Sequence, residues 1–164
     1  MTMKRFACYT LLLLLLLHGP VASAQANTGI VSKVFDGDSL IVKLAPGRSV
    51  EIRLAEIDAP EKDQPFGDRS RDKLRELIDG EPVRIEIYDI DAYGRLVAHI
   101  YRLRDQLHVN AWMLSHGLAW VYPKYADDEK LFALEKSARE QRAGLWSLPA
   151  KQQIPPWTWR HRKK

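Results

Sequence analysis

The chain is 164 residues long, 46% hydrophobic and 28% charged, enough for one domain with a proper core and too apolar for wholesale disorder. Its formal charge is +4, and its single cysteine is Cys8. A disulfide scaffold and a thiolate metal site are therefore excluded, while so mild a positive balance does not by itself establish nucleic-acid binding.

The chain opens with a leader pattern. Lys4 and Arg5 precede an apolar run over residues 11–17, and Ala22, Ser23 and Ala24 supply the small residues of a cleavage site. This order predicts a secretory signal peptide over residues 1–24, with Ala26 as a second cleavage position. An uncleaved anchor is the rival reading, but residues 6–17 fall short of the about 20 apolar residues that cross a bilayer. Cleavage removes Lys4, Arg5 and no acid, which takes the charge from +4 to +2, and it removes Cys8.

Within residues 25–164, strict alternation predicts a strand over residues 29–35, with Ile30, Ser32 and Val34 on one face. Asp36-Gly37-Asp38 breaks it with turn chemistry. Leu40, Val42 and Leu44 mark a second strand, Pro46-Gly47 a turn, and Val50, Ile52 and Leu54 a third strand that carries Arg53 on its other face. A helix follows, with Pro65 in its first turn, a stripe of Leu74, Leu77 and Ile78, and Gly80 at its end. Val83, Ile85 and Ile87, then a turn at residues 91–95, then Leu96, Ala98 and Ile100 predict two further strands. Helices are expected over residues 107–116, stopped by Gly117, and after a cap at Asp127, closed by Gly144. Pro155 and Pro156 argue against a regular helix over residues 154–159. The order is that of an α+β chain and fits a five-stranded oligonucleotide-binding (OB-fold) barrel with three packed helices; the pattern alone also allows an open sheet.

The turn at residues 46–47 pairs two strands whose ends carry four carboxylates, Asp36, Asp38, Asp58 and Glu61, and Arg53. Hard oxygen ligands, a candidate base and a cation in one place suit metal-assisted chemistry on a phosphate. No cysteine or histidine falls within this group, which favours Ca²⁺ over Zn²⁺. Taken singly, each fragment also reads as an ordinary turn, a helix-start acid or a solvated arginine. His99, His108, His116 and His161 show no metal spacing, Trp112, Trp120 and Trp146 read as packing residues, and Trp157 and Trp159 as the anchor of the C-terminal segment. The basic run over residues 160–164 reads as a solvated end.

Four segments together resemble the thermonuclease family, of which staphylococcal nuclease is the best-known member: Asp36-Gly37-Asp38-Ser39, Arg53-Leu54-Ala55-Glu56-Ile57-Asp58-Ala59-Pro60-Glu61, Asp91-Ala92-Tyr93-Gly94-Arg95 and Gly117-Leu118-Ala119-Trp120. Gly144-Leu145-Trp146 and the run from Pro155 to Arg160 are similar to bacterial members. The resemblance implies a barrel with three helices and Ca²⁺-dependent hydrolysis of DNA and RNA, single strands preferred, leaving 3′-phosphate ends. It implies Asp38 and Asp58 as carboxylate ligands, Ala59 as a carbonyl ligand, Asp36 as an acid near the ion, and Arg53, Glu61 and Arg95 as the catalytic trio. The expected protein is a monomer, periplasmic or secreted, with no membrane attachment once the leader is gone. Ser39 and Ala59 stand where threonines are common, Ala92 replaces a lysine, and the loop after Glu61 is shortened. Tyr122 or Tyr125 is expected to stack on bases. The alternative is a barrel that binds nucleic acid or protein without cutting; retention of Asp38, Arg53, Asp58, Glu61 and Arg95 favours the enzyme.

Overall fold

A computed structural model describes residues 27–162. The expected leader over residues 1–24, its alternative cleavage position Ala26, and Lys163 and Lys164 of the basic tail lie outside the described residues.

Five strands wrap into a closed barrel: β1 (Asn27–Val34), β2 (Ser39–Leu44), β3 (Ser49–Leu54), β5 (Pro82–Ile90) and β6 (Leu96–Arg102), with β4 (Ile57–Asp58) between β3 and the first helix. Neighbours run antiparallel in the order β3-β2-β1-β5-β6, and a parallel pairing of β3 with β6 closes the ring. Closure decides against the open sheet and leaves no free edge between these two strands. The short β7 (Leu107–His108) adds to the outer side of β6, and β4 pairs with β8 (Trp120–Val121) in a separate ladder. Helices α1 (Gly67–Ile78) and α2 (Val109–Ser115) pack on the barrel, α3 (Glu129–Glu140) packs on α2 and β8, and α4 (Pro156–His161) follows two short 3₁₀ turns.

The barrel interior holds most of the apolar set expected from alternation: Leu40, Val42, Val50, Ile52, Leu54, Val83, Ile85, Ala98 and Ile100 are buried, while Leu44 and Leu96 are half-buried and Ile87, at the register shift of β5 against β6, is exposed. Strand β1 departs from strict alternation. Val31 pairs with Val42 and Lys33 with Ile41, so Ser32 is an extra residue, a β-bulge. The bulge resets the phase, and Val31 and Val34 both point inward while Ile30 is 53% exposed.

Four helix boundaries differ from expectation; one is the end of α3, which closes at Glu140 with Gln141 as its cap, so that Gly144 opens the first 3₁₀ turn instead. Helix α1 starts at Gly67 rather than at Pro65, because Phe66 takes the cap position with φ 77°. Helix α2 starts at Val109, since Leu107 and His108 are drawn into pairing with Arg102 and Tyr101. The cap of α3 is Asp128, whose carboxylate accepts from the Lys130 N–H, and not Asp127. The prolines at 155 and 156 do not prevent a helix. Pro155 is the N-cap and Pro156 the first helical residue of α4, positions where a missing N–H costs nothing. The fold thus carries a fourth helix beyond the three expected.

Two glycines set how closely the helix layer approaches the strand ends. A Cβ on Gly37 would fall 2.0 Å from Ser70 Oγ on α1, and one on Gly67 would fall 1.9 Å from the Glu61 carbonyl oxygen. Only glycine allows these contacts, which press the start of α1 against the loops carrying Asp36, Asp38 and Glu61.

Asn110, fully buried on α2, ties the barrel closure together. Its Nδ2 donates to the carbonyls of Ala55 and Ala98, and its Oδ1 accepts from the Ile100 N–H. Asn110→Ala strands two buried backbone groups, the Ala55 carbonyl and the Ile100 N–H, while the Ala98 carbonyl keeps its bond from the Ala55 N–H. It is expected to cost about 3 kcal/mol and to lower Tm by about 10 °C, read by calorimetry or thermal circular dichroism. A Tm unchanged in the variant contradicts this role.

Candidate active site

The local folding of two strand ends creates the site. Register pairs Ser39 with Arg53 across β2 and β3, and the Leu54 N–H donates to the Asp38 carbonyl at 2.8 Å. Asp36 shapes the entering turn by accepting the Asp38 N–H at 3.0 Å. The β4–β8 ladder pairs Asp58 with Trp120 and fixes the Asp58 backbone beside them.

The side chains then knit together. Arg53 lies between two acids, with Nη1 3.1 Å from Asp38 Oδ2 and Nη2 donating to Asp58 Oδ1 at 2.8 Å. Asp38 Oδ2 also accepts from the Ala59 N–H at 2.6 Å, and its Oδ1 from Ser39 Oγ at 3.1 Å. Asp38 is 6% and Asp58 1% exposed. Burial holds the Asp38 carboxyl above the ordinary carboxylate range; Arg53 pulls it back, while Asp36 and Asp58 push the same way as burial.

Arg95 reaches the same cleft from the hairpin between β5 and β6. Asp91 Oδ1 accepts from the backbone N–H groups of Tyr93 and Arg95, and Asp91 Oδ2 accepts from Arg95 Nε at 2.7 Å. This fixes the root of the guanidinium and commits Nε alone. The cleft encloses about 650 Å³ and is lined by Asp36, Asp38, Arg53, Asp58, Ala59, Glu61 and Arg95, among others. Every residue of the expected constellation therefore lines one depression, although the side-chain bond of Arg95 is to Asp91 and not to Asp38, Asp58 or Glu61.

Tyr88, Ile90, Tyr93, Tyr122 and Tyr125 form the apolar part of the wall. Tyr93 is 86% exposed at the hairpin tip. Both tyrosines expected to stack are in the cleft; Tyr122 already has Trp157 lying parallel to it, at 5.3 Å and 3°.

The donor set bears on a metal ion. All candidate ligands are oxygens, which suits a hard divalent cation. Among the described residues no three His, Cys, Asp or Glu side chains converge as a cage. An ion here would take side-chain oxygens from Asp38 and Asp58 and the remainder from backbone, water or phosphate.

Two features escaped the reading of the sequence. Arg160, assigned to a solvated tail, lies in the site: Nη1 donates to Asp58 Oδ1 at 3.1 Å and to Glu61 Oε1 at 2.6 Å, and Nη2 to Asp58 Oδ2 at 2.8 Å. Its only signal in the sequence was the proline–tryptophan run before it, which starts and anchors α4. The second is a polar chain behind the cleft. Glu56 Oε2 lies 3.1 Å from His99 Nε2, and His99 Nδ1 lies 3.0 Å from His108 Nε2. With Glu56 ionised, His99 carries its proton on Nε2 and accepts at Nδ1, so His108 donates from Nε2. These histidines form a structural chain and lie outside the acid cluster.

Burial and the neighbouring His99 lower the His108 pKa to about 4, against the weaker pull of Glu86 and Asp128; Arg84 adds to the lowering. The unfolded chain then binds a proton near pH 6.5 that the folded chain refuses until about pH 4. Stability associated with neutral His108 is intact above pH 6.5 and falls between these values. Screening at this part-exposed ring limits the loss to about 1–2 kcal/mol. The difference between wild-type and His108→Gln unfolding free energies, measured from pH 7 to 4, is expected to change by that amount; a flat difference contradicts it.

Comparison with known proteins places the chain. Residues 51–148 match the family model described as "Staphylococcal nuclease homologue". An Escherichia coli O157:H7 protein named "Uncharacterized endonuclease" is 41% identical over 155 residues, covering 94% of this chain and 98% of that protein. "Micrococcal nuclease" of Shigella flexneri is 39% identical over 145 residues, covering 83% and 82% respectively. A Haemophilus influenzae protein, also named "Uncharacterized endonuclease", is 35% identical over 155 residues, covering 94% and 85%. With a matching domain over most of the barrel and relatives aligned nearly end to end, the chain belongs to the staphylococcal nuclease family.

Proposed function

We propose that the protein is an exported, Ca²⁺-dependent endonuclease that hydrolyses phosphodiester bonds in DNA and RNA, with single strands preferred. The observation that carries this reading is the contact network of Asp38, Arg53 and Asp58, joined to Glu61 through Arg160, in a cleft that Arg95 also lines. A phosphodiester resists attack because it is anionic, so catalysis is chiefly the supply of well-placed positive charge and of a base.

In this reading Asp38, Asp58 and the Ala59 carbonyl hold the ion, and Asp36 adds negative charge beside it. When bound, Ca²⁺ polarises the phosphate and stabilises charge developing on it. Glu61 accepts a proton from the attacking water and orients it. Arg53 and Arg95 donate to the phosphate oxygens, where a guanidinium offers two parallel hydrogen bonds and stays charged at any working pH. The water oxygen bonds to phosphorus as the P–O bond on the 5′ side breaks; the 5′-oxygen leaves as a hydroxyl with a proton from solvent, and the other fragment keeps a 3′-phosphate. Tyr93, Tyr122 and Tyr125 offer rings to unpaired bases, and paired bases cannot reach them without unstacking. Residues 1–24 direct export and are removed, and the protein then works as a monomer in the periplasm or outside the cell.

The test is cleavage of denatured and duplex DNA and of RNA by protein lacking residues 1–24, with Ca²⁺ or with chelator, followed by end-group analysis. Calcium-dependent cuts leaving 3′-phosphates are expected, faster on denatured DNA. Binding without cleavage would identify a non-catalytic module instead.

A further inference from the structure

We propose that Arg160 is a positioning residue of the reaction, holding the Glu61 carboxylate against Asp58 so that the base meets the water in one orientation. The inference rests on the nuclease reading above and extends it to the C-terminal helix.

Glu61 lies beyond the last paired residue of β4, and its side chain is 35% exposed. An unsupported glutamate in such a place samples several rotamers, and a base that wanders by an ångström loses much of its value. Arg160 removes that freedom. Its guanidinium grips both oxygens of the immobile Asp58 and turns one nitrogen to Glu61 Oε1 at 2.6 Å. The paired fork fixes the plane of the guanidinium, and hence the direction from which Glu61 is held. A guanidinium stays charged at any working pH, so the clamp is always charged.

Helix α4 is built to deliver this one side chain. Its two prolines start the helix at a defined residue, Trp157 stacks on Tyr122, and Trp157 also meets Trp120 edge-on at 6.0 Å. Trp159 Nε1 donates to Asp63 Oδ1 at 3.2 Å. The buried Gln64 joins the two segments, accepting the Glu61 N–H at 3.1 Å and donating to the Ile154 carbonyl at 2.6 Å. Backbone and side chain of Glu61 are thus both referred to the C-terminal segment. The shortened loop after Glu61 is braced from outside.

A merely structural arginine and a positioning one are separated by a double-mutant cycle. Single-turnover cleavage of denatured DNA with Ca²⁺ is measured for wild type, Arg160→Ala, Glu61→Gln and the double variant, with unfolding midpoints as the folding control. Arg160→Ala is expected to lower kcat by about 10–100-fold with KM nearly unchanged, and millimolar methylguanidinium is expected to restore part of it. In the Glu61→Gln background the same change is expected to cost less than about threefold, because there is no longer a base to position. Arg160→Lys, which keeps charge and loses the fork, serves if the alanine variant does not fold, and is expected to fall between. An equal loss in both backgrounds, or kcat within about twofold of wild type for either Arg160 variant, overturns the role. Wild-type protein that cleaves nothing overturns the nuclease reading and this role with it; wild-type cleavage with additive losses overturns this role alone.

Discussion

Glu61→Gln is expected to lower kcat by about 10²–10⁴-fold, the range for loss of a positioned base. Glutamine matches glutamate in size and keeps an oxygen to accept from Arg160, whose bonds to Asp58 remain. What disappears is the ability to take a proton. Because the side chain is part exposed and its backbone is held by Gln64, the fold is expected to be untouched, with Tm within a few degrees of wild type. Single-turnover cleavage at saturating Ca²⁺ measures the effect. Activity within tenfold of wild type would remove Glu61 from the role of base and leave the ion or bulk solvent to activate water.

Arg95→Lys is expected to lower kcat by about 10²–10³-fold, as loss of one transition-state donor costs about 2.7–4 kcal/mol. The Asp91 carboxylate takes Nε and the backbone N–H of Arg95, so the two terminal nitrogens project as a fork of fixed direction. Lysine keeps the charge but offers one point of attachment, and its favoured partner is Asp91 itself. The part-exposed Arg95–Asp91 pair contributes less than about 1 kcal/mol to stability, so the variant is expected to fold normally. Binding of a single-stranded phosphorothioate, measured alongside cleavage, is expected to weaken far less than kcat falls. Equal losses in both would make Arg95 a contact to the ground state and contradict its assignment to the transition state.

The strand pattern was legible because β2, β3 and β6, and β5 as far as Ile85, bury one alternating face, and period two survives in the sequence. Closure of the barrel was not, since the parallel pairing of Ile52 with Leu96 joins residues with no common local signal. The bulge at Ser32 was likewise hidden, because one inserted residue looks the same as one residue of ordinary strand. In the site, Asp38, Arg53, Asp58, Glu61 and Arg95 stood out because each lies in a turn or at a strand end within a short segment of characteristic order. Arg160 did not, as it reaches Asp58 across 102 residues and depends on aromatic packing that only the folded chain creates. The pairing of His99 with His108 is of the same kind: two strands meet, and neither histidine has a neighbour in sequence that announces it. The prolines before α4 carried a rule applied in the wrong register, since a residue that breaks a helix interior begins a helix well.

In the proposed reaction the ion and the scissile phosphate share one site, lined by Asp38 and Asp58 with Arg53 between them and by Arg95. Calorimetric titration of Ca²⁺ into the mature protein, with and without a single-stranded phosphorothioate oligonucleotide that resists cleavage, tests this directly. The ligands are predicted to tighten each other reciprocally, by about 5–150-fold, and Asp38→Asn to abolish the coupling. Calcium affinity that is the same with and without the oligonucleotide would contradict the account.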